Sequence, residues 1–328
     1  MSEIINGYKL IGELTNARSG FAKWGFARKD GIDVFIKEFL SPVYPIDGTT
    51  ISQEQLRVKR QICNEFEQKK RRFYAVLNKC STGNVITILD IFRWKSKYYI
   101  VTEKVNAKAI SAETISEMST EQKIQIAKIV THCVNSLHKN GIVHGDIKAD
   151  NILLKETQKG FYTAKLIDFD ASFFEGDASK ADEEFQGDMV YLAPESFLYI
   201  AGRVSSISSK IDVFALGVLF HQYFTGKVPG FDATKYAYAF EAVLDDNELL
   251  IDGVMPQNIS SLIKDMLKKE PVLRPRLDEV FTRLSAKDKS VEINTEKQKE
   301  IVPPIEMKNV LKTEVDGKGY FKKADDLW

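Results

Sequence analysis

The sequence is poor in cysteine, has no long apolar run and carries no excess of either charge. Cys63, Cys80 and Cys133 are the only cysteines, and they form no Cys-x-x-Cys pair. Three scattered thiols exclude a disulfide framework and a zinc site, and they suit a reducing compartment. Each is expected as a small buried apolar side chain. No stretch approaches the roughly 18 apolar residues a membrane span requires. The start, Met1 to Gly7, lacks the basic head and apolar core of a signal peptide. A cytoplasmic protein is the expectation. The 46 basic and 46 acidic residues cancel, so no general affinity for nucleic acid or an anionic membrane is expected. What remains is a chain of 328 residues, 44% hydrophobic, long enough to bury a large core in two lobes.

The first part alternates. Trp24–Arg28 and Asp33–Phe39 are strand-like, with Lys29-Asp30-Gly31 as the turn between them. Residues 41–53 hold prolines, a glycine and hydroxyl side chains, and they read as a loop. Residues 54–78 are charged, with Ile62, Phe66, Phe73 and Leu77 at helical spacing. Strands return at 85–92 and 97–105. Beyond residue 106 the pattern becomes helical: Glu121–Asn140 with Gly141 as its stop, then 210–225, 233–248, 258–268 and 276–285. Two short strands fall near 152–154 and 164–167. The fold class is α+β: residues 1–105 a small β-rich lobe with one main helix, residues 106–285 a larger, mostly helical lobe. Residues 286–328 are rich in Lys and Glu and end in aromatic residues, from Tyr320-Phe321 to Leu327-Trp328. They read as a flexible extension or a docking segment.

One segment concentrates chemistry: His144-Gly145-Asp146-Ile147-Lys148-Ala149-Asp150-Asn151, followed by Leu166-Ile167-Asp168-Phe169-Asp170. Phosphoryl transfer needs a carboxylate to orient the attacking hydroxyl, a cation near the moving phosphate and oxygen ligands for magnesium. Asp146, Lys148 and Asn151 supply these on one loop. Asp168 adds a second metal carboxylate at a strand end, as a hard ion demands.

These segments resemble the catalytic loop and metal-binding segment of protein kinases. The resemblance makes Asp146 the catalytic base, places Lys148 on the γ-phosphate and gives Asn151 and Asp168 to magnesium, with manganese as the alternative ion. Lys148 looks like the Ser/Thr branch of the family. Tyr191-Leu192-Ala193-Pro194-Glu195 resembles the close of the activation segment. Lys210 to Gly217 resembles the buried helix that anchors the catalytic loop through Asp212. Arg274 is the expected partner of Glu195. In the first lobe Val34-Phe35-Ile36-Lys37 resembles the strand whose lysine holds the α- and β-phosphates. Its expected helix partner is Glu67, with Glu65 as second choice, although the helical phase set by Phe73 and Leu77 brings Lys70 to that place. Thr102-Glu103-Lys104-Val105 resembles the gatekeeper and hinge, with backbone groups of Glu103 and Val105 on adenine and Leu153 beneath it.

Several positions depart from the family. Only Gly20 remains of the glycines that cover the phosphates. Trp24 and Phe35 are large where adenine-contacting residues are small. Gly145 replaces the arginine that receives an activation-loop phosphate, and residues 171–188 are already acidic, with Glu175, Asp177, Asp182, Glu183, Glu184 and Asp188. Asp170 stands where the metal-binding segment has glycine. Asp188 stands where a threonine is usual.

The implied activity is ATP-dependent transfer to Ser or Thr hydroxyls of a protein substrate, without need of activation-loop phosphorylation. The alternatives are a pseudokinase or scaffold and a small-molecule kinase of the aminoglycoside or choline type, whose His-Gly-Asp and Ile-Asp-Phe-Asp segments are also similar. Trp24–Ala27 and Phe35–Pro42 further resemble bacterial kinases that work beside a metal-dependent protein phosphatase, so a cognate phosphatase is a second expected partner.

Overall fold

The computed structural model describes residues 3–16, 22–46, 51–80, 83–158, 160–177 and 187–286. The chain divides into Met1–Lys287 and Asp288–Trp328. The second unit, which holds the expected tail, lies outside the described residues, as does Gly20.

The first unit begins with strands β1 (Ile4–Ile5), β2 (Tyr8–Thr15), β3 (Ala22–Lys29) and β4 (Ile32–Phe39). Helix α1 (Gln53–Cys80) follows, then β5 (Ile88–Trp94) and β6 (Lys97–Glu103). The six strands form one antiparallel sheet in the order β1-β2-β3-β4-β6-β5. The turn between β3 and β4 falls on Asp30 (φ 52°) and Gly31 (φ 80°). Two consecutive left-handed residues make the tight hairpin turn whose twist matches the strands, and Asp and Gly are suited to it.

Strand alternation gives the sheet two faces. Ala27, Val34, Ile36 and Val101 point to an outer cluster with Ile5, Tyr8, Leu10, Phe92 and Tyr99. The opposite face carries Phe39, Ile91, Tyr98 and Ile100 into the main core with α1. The buried stripe of α1 is Cys63, Phe73, Tyr74, Leu77 and Cys80, with Phe66 packed beside it. Ile62, expected on that stripe, is instead exposed, and Cys63 takes the inward place. All three cysteines are free and buried.

The helical part contains β7 (Lys108–Ala109), α2 (Ala112–Ser116), α3 (Thr120–His138), β8 (Ile142–Val143), β9 (Ile152–Glu156), β10 (Tyr162–Leu166), β11 (Phe173–Phe174), α4 (Pro194–Ile200), α5 (Lys210–Thr225), α6 (Ala239–Leu244), α7 (Gln257–Met266) and α8 (Leu277–Ser285). A reciprocal cap between Ser119 and Gln122 starts α3, and Gly141, at φ 69°, turns the chain beyond its end. Helix α5 is apolar all round: from Ile211 to Phe224 every residue but Gln222 is buried. It is therefore the central helix. Gly217 lets α7 approach it, since a Cβ there would meet Leu267 and Met266 at 3.0–3.1 Å. The expected helix 233–248 shrinks to α6: before it Asp232 turns the chain by accepting from the Thr234 amide and hydroxyl, and beyond it Asp246 takes a left-handed conformation (φ 58°). Among the described residues, no helix is long and apolar enough to cross a membrane.

Candidate active site

The loop between β8 and β9 carries Asp146, Lys148 and Asn151. It is suspended from Asp212, a fully buried carboxylate on α5. Asp212 accepts the amides of His144 (2.8 Å) and Gly145 (2.9 Å), and lies 2.8 Å from His138 Nε2. Burial alone would raise this carboxyl, but His138, His144 and the Gly145 amide hold it below the ordinary aspartate value. His144 locks the loop from the other side. Its Nε2 donates to the Ile167 carbonyl and its Nδ1 accepts from the Asp146 amide, which assigns the ring tautomer. The Ile167 amide donates to the Asn151 carbonyl. The two chemistry-bearing segments are thereby fastened edge to edge.

Within the loop, Asn151 donates its amide to the Asp146 carboxylate and to the Asp146 carbonyl, both at 2.8 Å. Asp146 Oδ1 accepts the Asp188 amide at 3.1 Å, and Lys148 Nζ lies 2.9 Å from Asp146 Oδ2. Lys148 also lies 3.9 Å from Asp188. Burial alone would lower the Lys148 ammonium, but the charges of Asp146, Asp188 and Asp168 outweigh it and raise its pKa. The carboxylates of Asp188 and Asp146 thus share Lys148 between them, and the Asp188 amide also donates to Asp146.

Asp168 stands just beyond β10 in a left-handed conformation (φ 59°), a place Asp tolerates better than most residues. Its carboxylate is 3.0 Å from Lys37 Nζ, and Asp170 is nearer, at 2.6 Å. Burial works against the Lys37 ammonium, yet the two carboxylates raise it well above the ordinary lysine value. Glu67, the expected partner of Lys37, instead bridges Arg71 four residues along the same helix at 2.8 Å. The cause is helical phase. The row of α1 that faces the sheet carries Phe66, Lys70 and Tyr74, and the Lys70 ammonium sits 5.5–6.0 Å from the rings of Phe39, Phe66 and Tyr74. Glu65 accepts from Gln61. The Asp170 pairing escaped the sequence argument. Its signal was an acid in place of glycine at 170 together with a lysine in the glutamate's phase at 70.

The sheet face above this cluster is aromatic. Trp24 pairs with Lys37, and Phe26 with Phe35, across β3 and β4. Trp24 and Phe35 therefore share the face of Lys37, not the outer apolar cluster, and they stack 5.8 Å apart at 23°. Thr102 is buried at the end of β6. The Glu103 amide is committed to the Thr87 carbonyl, and its carboxylate is held by Lys165 at 2.7 Å. Val105, two residues beyond β6, and Leu153, on β9, are half-buried.

Asn151, with its amide nitrogen spent on Asp146, has its side-chain oxygen left over, and Asp168 brings a carboxylate that is 42% exposed. Hard oxygen donors of this kind fit magnesium. Among the described residues no cluster of three or more His, Cys, Asp or Glu could hold a metal alone. An ion held jointly by two protein groups and substrate phosphates is consistent with that.

Further out, Glu195 at the start of α4 and Arg274 form a buried pair at 2.6 Å. The comparison with known proteins is decided by the chain from α1 onward, for residues 51–284 match the Protein kinase domain family. The chain belongs to the protein kinase family. The matched part begins just before α1, so β1 to β4, with Lys37, Trp24 and Phe35, lie outside it. Sperm motility kinase 3A of Mus musculus is 26% identical over 72% of this chain and 44% of its own. Calcium/calmodulin-dependent protein kinase type II of Caenorhabditis elegans is 28% identical over 73% and 33%. Serine/threonine-protein kinase PSK2 of Saccharomyces cerevisiae is 31% identical over 63% and 18%. The chain spans less than half the length of these relatives.

Proposed function

We propose that this kinase transfers the γ-phosphate of ATP to Ser or Thr hydroxyls of a protein, and that it does so without activation-loop phosphorylation. The observation that carries the proposal is the joined geometry of Asp146, Lys148 and Asn151 on one loop, tied through Ile167 to Asp168 and its neighbour Lys37. Asp146 would receive the acceptor hydroxyl and take its proton. Lys148, already beside Asp146, would face the transferring phosphate. Lys37 would hold the α- and β-phosphates. Asn151 and Asp168 would hold magnesium, which when bound neutralises the charge developing on the phosphoryl oxygens. The carbonyl of Glu103, the backbone of Val105 and the Leu153 side chain would take the adenine; the assignment of Gly20 to the phosphates rests on the sequence resemblance, since it lies outside the described residues.

Independence from loop phosphorylation is supported by Gly145. Its φ is +80°, and a Cβ there would fall 2.6 Å from the Ala171 carbonyl oxygen. No side chain, and so no phosphate-receiving arginine, fits at that position without a backbone shift. The cognate metal-dependent phosphatase belongs to the same proposal on the sequence resemblance alone, and the cytoplasmic setting on the scattered, free cysteines.

The experiment is transfer of labelled γ-phosphate from Mg·ATP to the protein itself and to a generic basic protein, after phosphatase treatment, beside Asp146→Asn. Label on Ser or Thr that disappears in the variant is the expected result. Absence of transfer by folded protein, with magnesium and with manganese, would move the assignment to a pseudokinase.

A further inference from the structure

Lys37 is surrounded by more carboxylate than one cation needs. Asp168 Oδ1 is 3.0 Å from its ammonium and Asp170 Oδ2 is 2.6 Å away. The two acids differ in surroundings. The Asp168 side chain is 42% exposed, while that of Asp170 is 21% exposed and that of Lys37 is 11% exposed. The shorter and better shielded contact is to Asp170. Shielded charge-assisted hydrogen bonds are the stronger ones.

The acids of α1 on this side are already engaged. Glu67 holds Arg71 and Glu65 accepts from Gln61. The helix instead turns Lys70 and the buried Tyr74 toward this region. The Tyr74 phenol is raised well above its usual value, by burial first and then by the charges of Asp170 and Asp168. Helix and segment have thus exchanged charge relative to the pattern expected from the sequence: a lysine stands in the helix phase of the acid, and an acid stands at 170.

We propose that Asp170 is the positioning residue for Lys37, fixing its ammonium at the nucleotide phosphates from the segment that follows β10, in place of a glutamate on α1. This rests on the assignment of Lys37 to the phosphates made above. Asp168 is then free to turn toward a divalent cation while Lys37 keeps its anchor two residues further on. One short segment sets both the metal carboxylate and the phosphate-binding lysine. The position of α1 no longer governs Lys37, so a partner that displaces α1 leaves the lysine in place.

The test is a double-mutant cycle read by calorimetric binding of the β,γ-imido analogue of ATP with magnesium to the full chain. A second cycle is read by urea denaturation without nucleotide. Asp170→Asn should weaken nucleotide binding roughly tenfold, as expected for loss of a charge-assisted hydrogen bond. The same substitution should have no further adverse effect in a Lys37→Met background. Asp170→Glu should restore most of the affinity. Glu67→Gln should leave it at the wild-type level, and the denaturation cycle should show Lys37–Asp170 coupling without any ligand. Additive losses, or a Glu67→Gln loss equal to that of Asp170→Asn, would overturn the proposal while the nucleotide site stood. If the folded wild-type protein binds no nucleotide, the Lys37 assignment itself fails and the proposal falls with it. If Asp170→Asn unfolds, Asp170→Glu decides: wild-type affinity supports a carboxylate anchor, and lost affinity in a folded protein sinks it.

Discussion

Arg274 grips Glu195 with two parallel hydrogen bonds, Nη1 to Oε1 at 2.6 Å and Nη2 to Oε2 at 2.8 Å. Its other donors reach the carbonyls of Lys268, Lys210 and Lys269 at 2.7–3.0 Å, so all five N–H groups are used. The guanidinium also lies 5.0 Å from the Phe214 ring, on the central helix. The pair ties α4, the start of α5 and the segment before α8 into one block.

Truncating this arginine strands a carboxylate and leaves three carbonyls without their donor. Arg274→Ala should cost about 3–5 kcal/mol of unfolding free energy, the range for breaking a buried pair. Arg274→Lys keeps the charge but not the fork, and should fall in between. Urea denaturation monitored by tryptophan fluorescence measures both. A loss below about 1 kcal/mol for the alanine variant would mean the pair is not structurally important.

The catalytic assignment makes a sharper demand. Asp146 is held by Asn151, Lys148 and the Asp188 amide, so Asp146→Asn keeps the shape of the loop while removing the base. Turnover should fall by about 10²–10⁴-fold, the usual contribution of a general base, with nucleotide affinity nearly unchanged. Activity retained within a few-fold would remove Asp146 from the chemistry.

Much of this site was legible because its members are close in sequence. The loop from His144 to Asn151 and the segment from Leu166 to Asp170 each place their own residues, and α5 falls at 210–225 as its apolar run demanded. Lys37 was different. Its partner lies more than 130 residues away, and no periodicity reports a contact of that range. The α1 phase had warned of trouble at Glu67 but could not say which acid would replace it. Helix α2, of five residues, is too short to generate a periodic signal. For α6 the apolar spacing continued into residues that Asp232 turns out of the helix.

Gly145 and Ser172 bear on control by phosphate. Ser172 is buried and donates to the His144 carbonyl at 2.7 Å, so it is a structural hydroxyl in this state. Ser172→Ala should therefore cost about 1 kcal/mol of stability and little activity. Gly145→Arg should not install phosphate control. It should inactivate the enzyme, because the side chain collides with the Ala171 carbonyl and a positive φ is costly for it. Full activity in Gly145→Arg would refute this account of the loop.

Acid should loosen the loop between β8 and β9 through Asp212. Its folded pKa is depressed, so the stability it contributes is present above the unfolded aspartate value, about 4. That contribution is lost as pH falls through the lower folded value. Asp212→Asn should be less stable near neutrality, and its stability should fall less steeply as pH drops below about 4. Denaturation midpoints across that window test the sign. Parallel acid limbs in the two proteins would show that other carboxylates dominate.

The aromatic face beside Lys37 allows a test that separates crowding from support. Trp24 and Phe35 are stacked on one another on the side of the sheet that carries Lys37. If the rings fill space that adenine needs, Phe35→Ala opens it. KM for ATP should then fall several-fold while kcat changes little, since nothing at Asp146 has moved. The substitution also removes two aromatic pairs, with Trp24 and with Phe26, each worth about 0.5–1.5 kcal/mol beyond its buried area, so melting should be recorded beside the kinetics. A rise in KM with stability intact would reverse the interpretation: the Phe35 ring would then be a surface on which the base stacks, and the enlarged residues would be part of how this kinase holds its nucleotide.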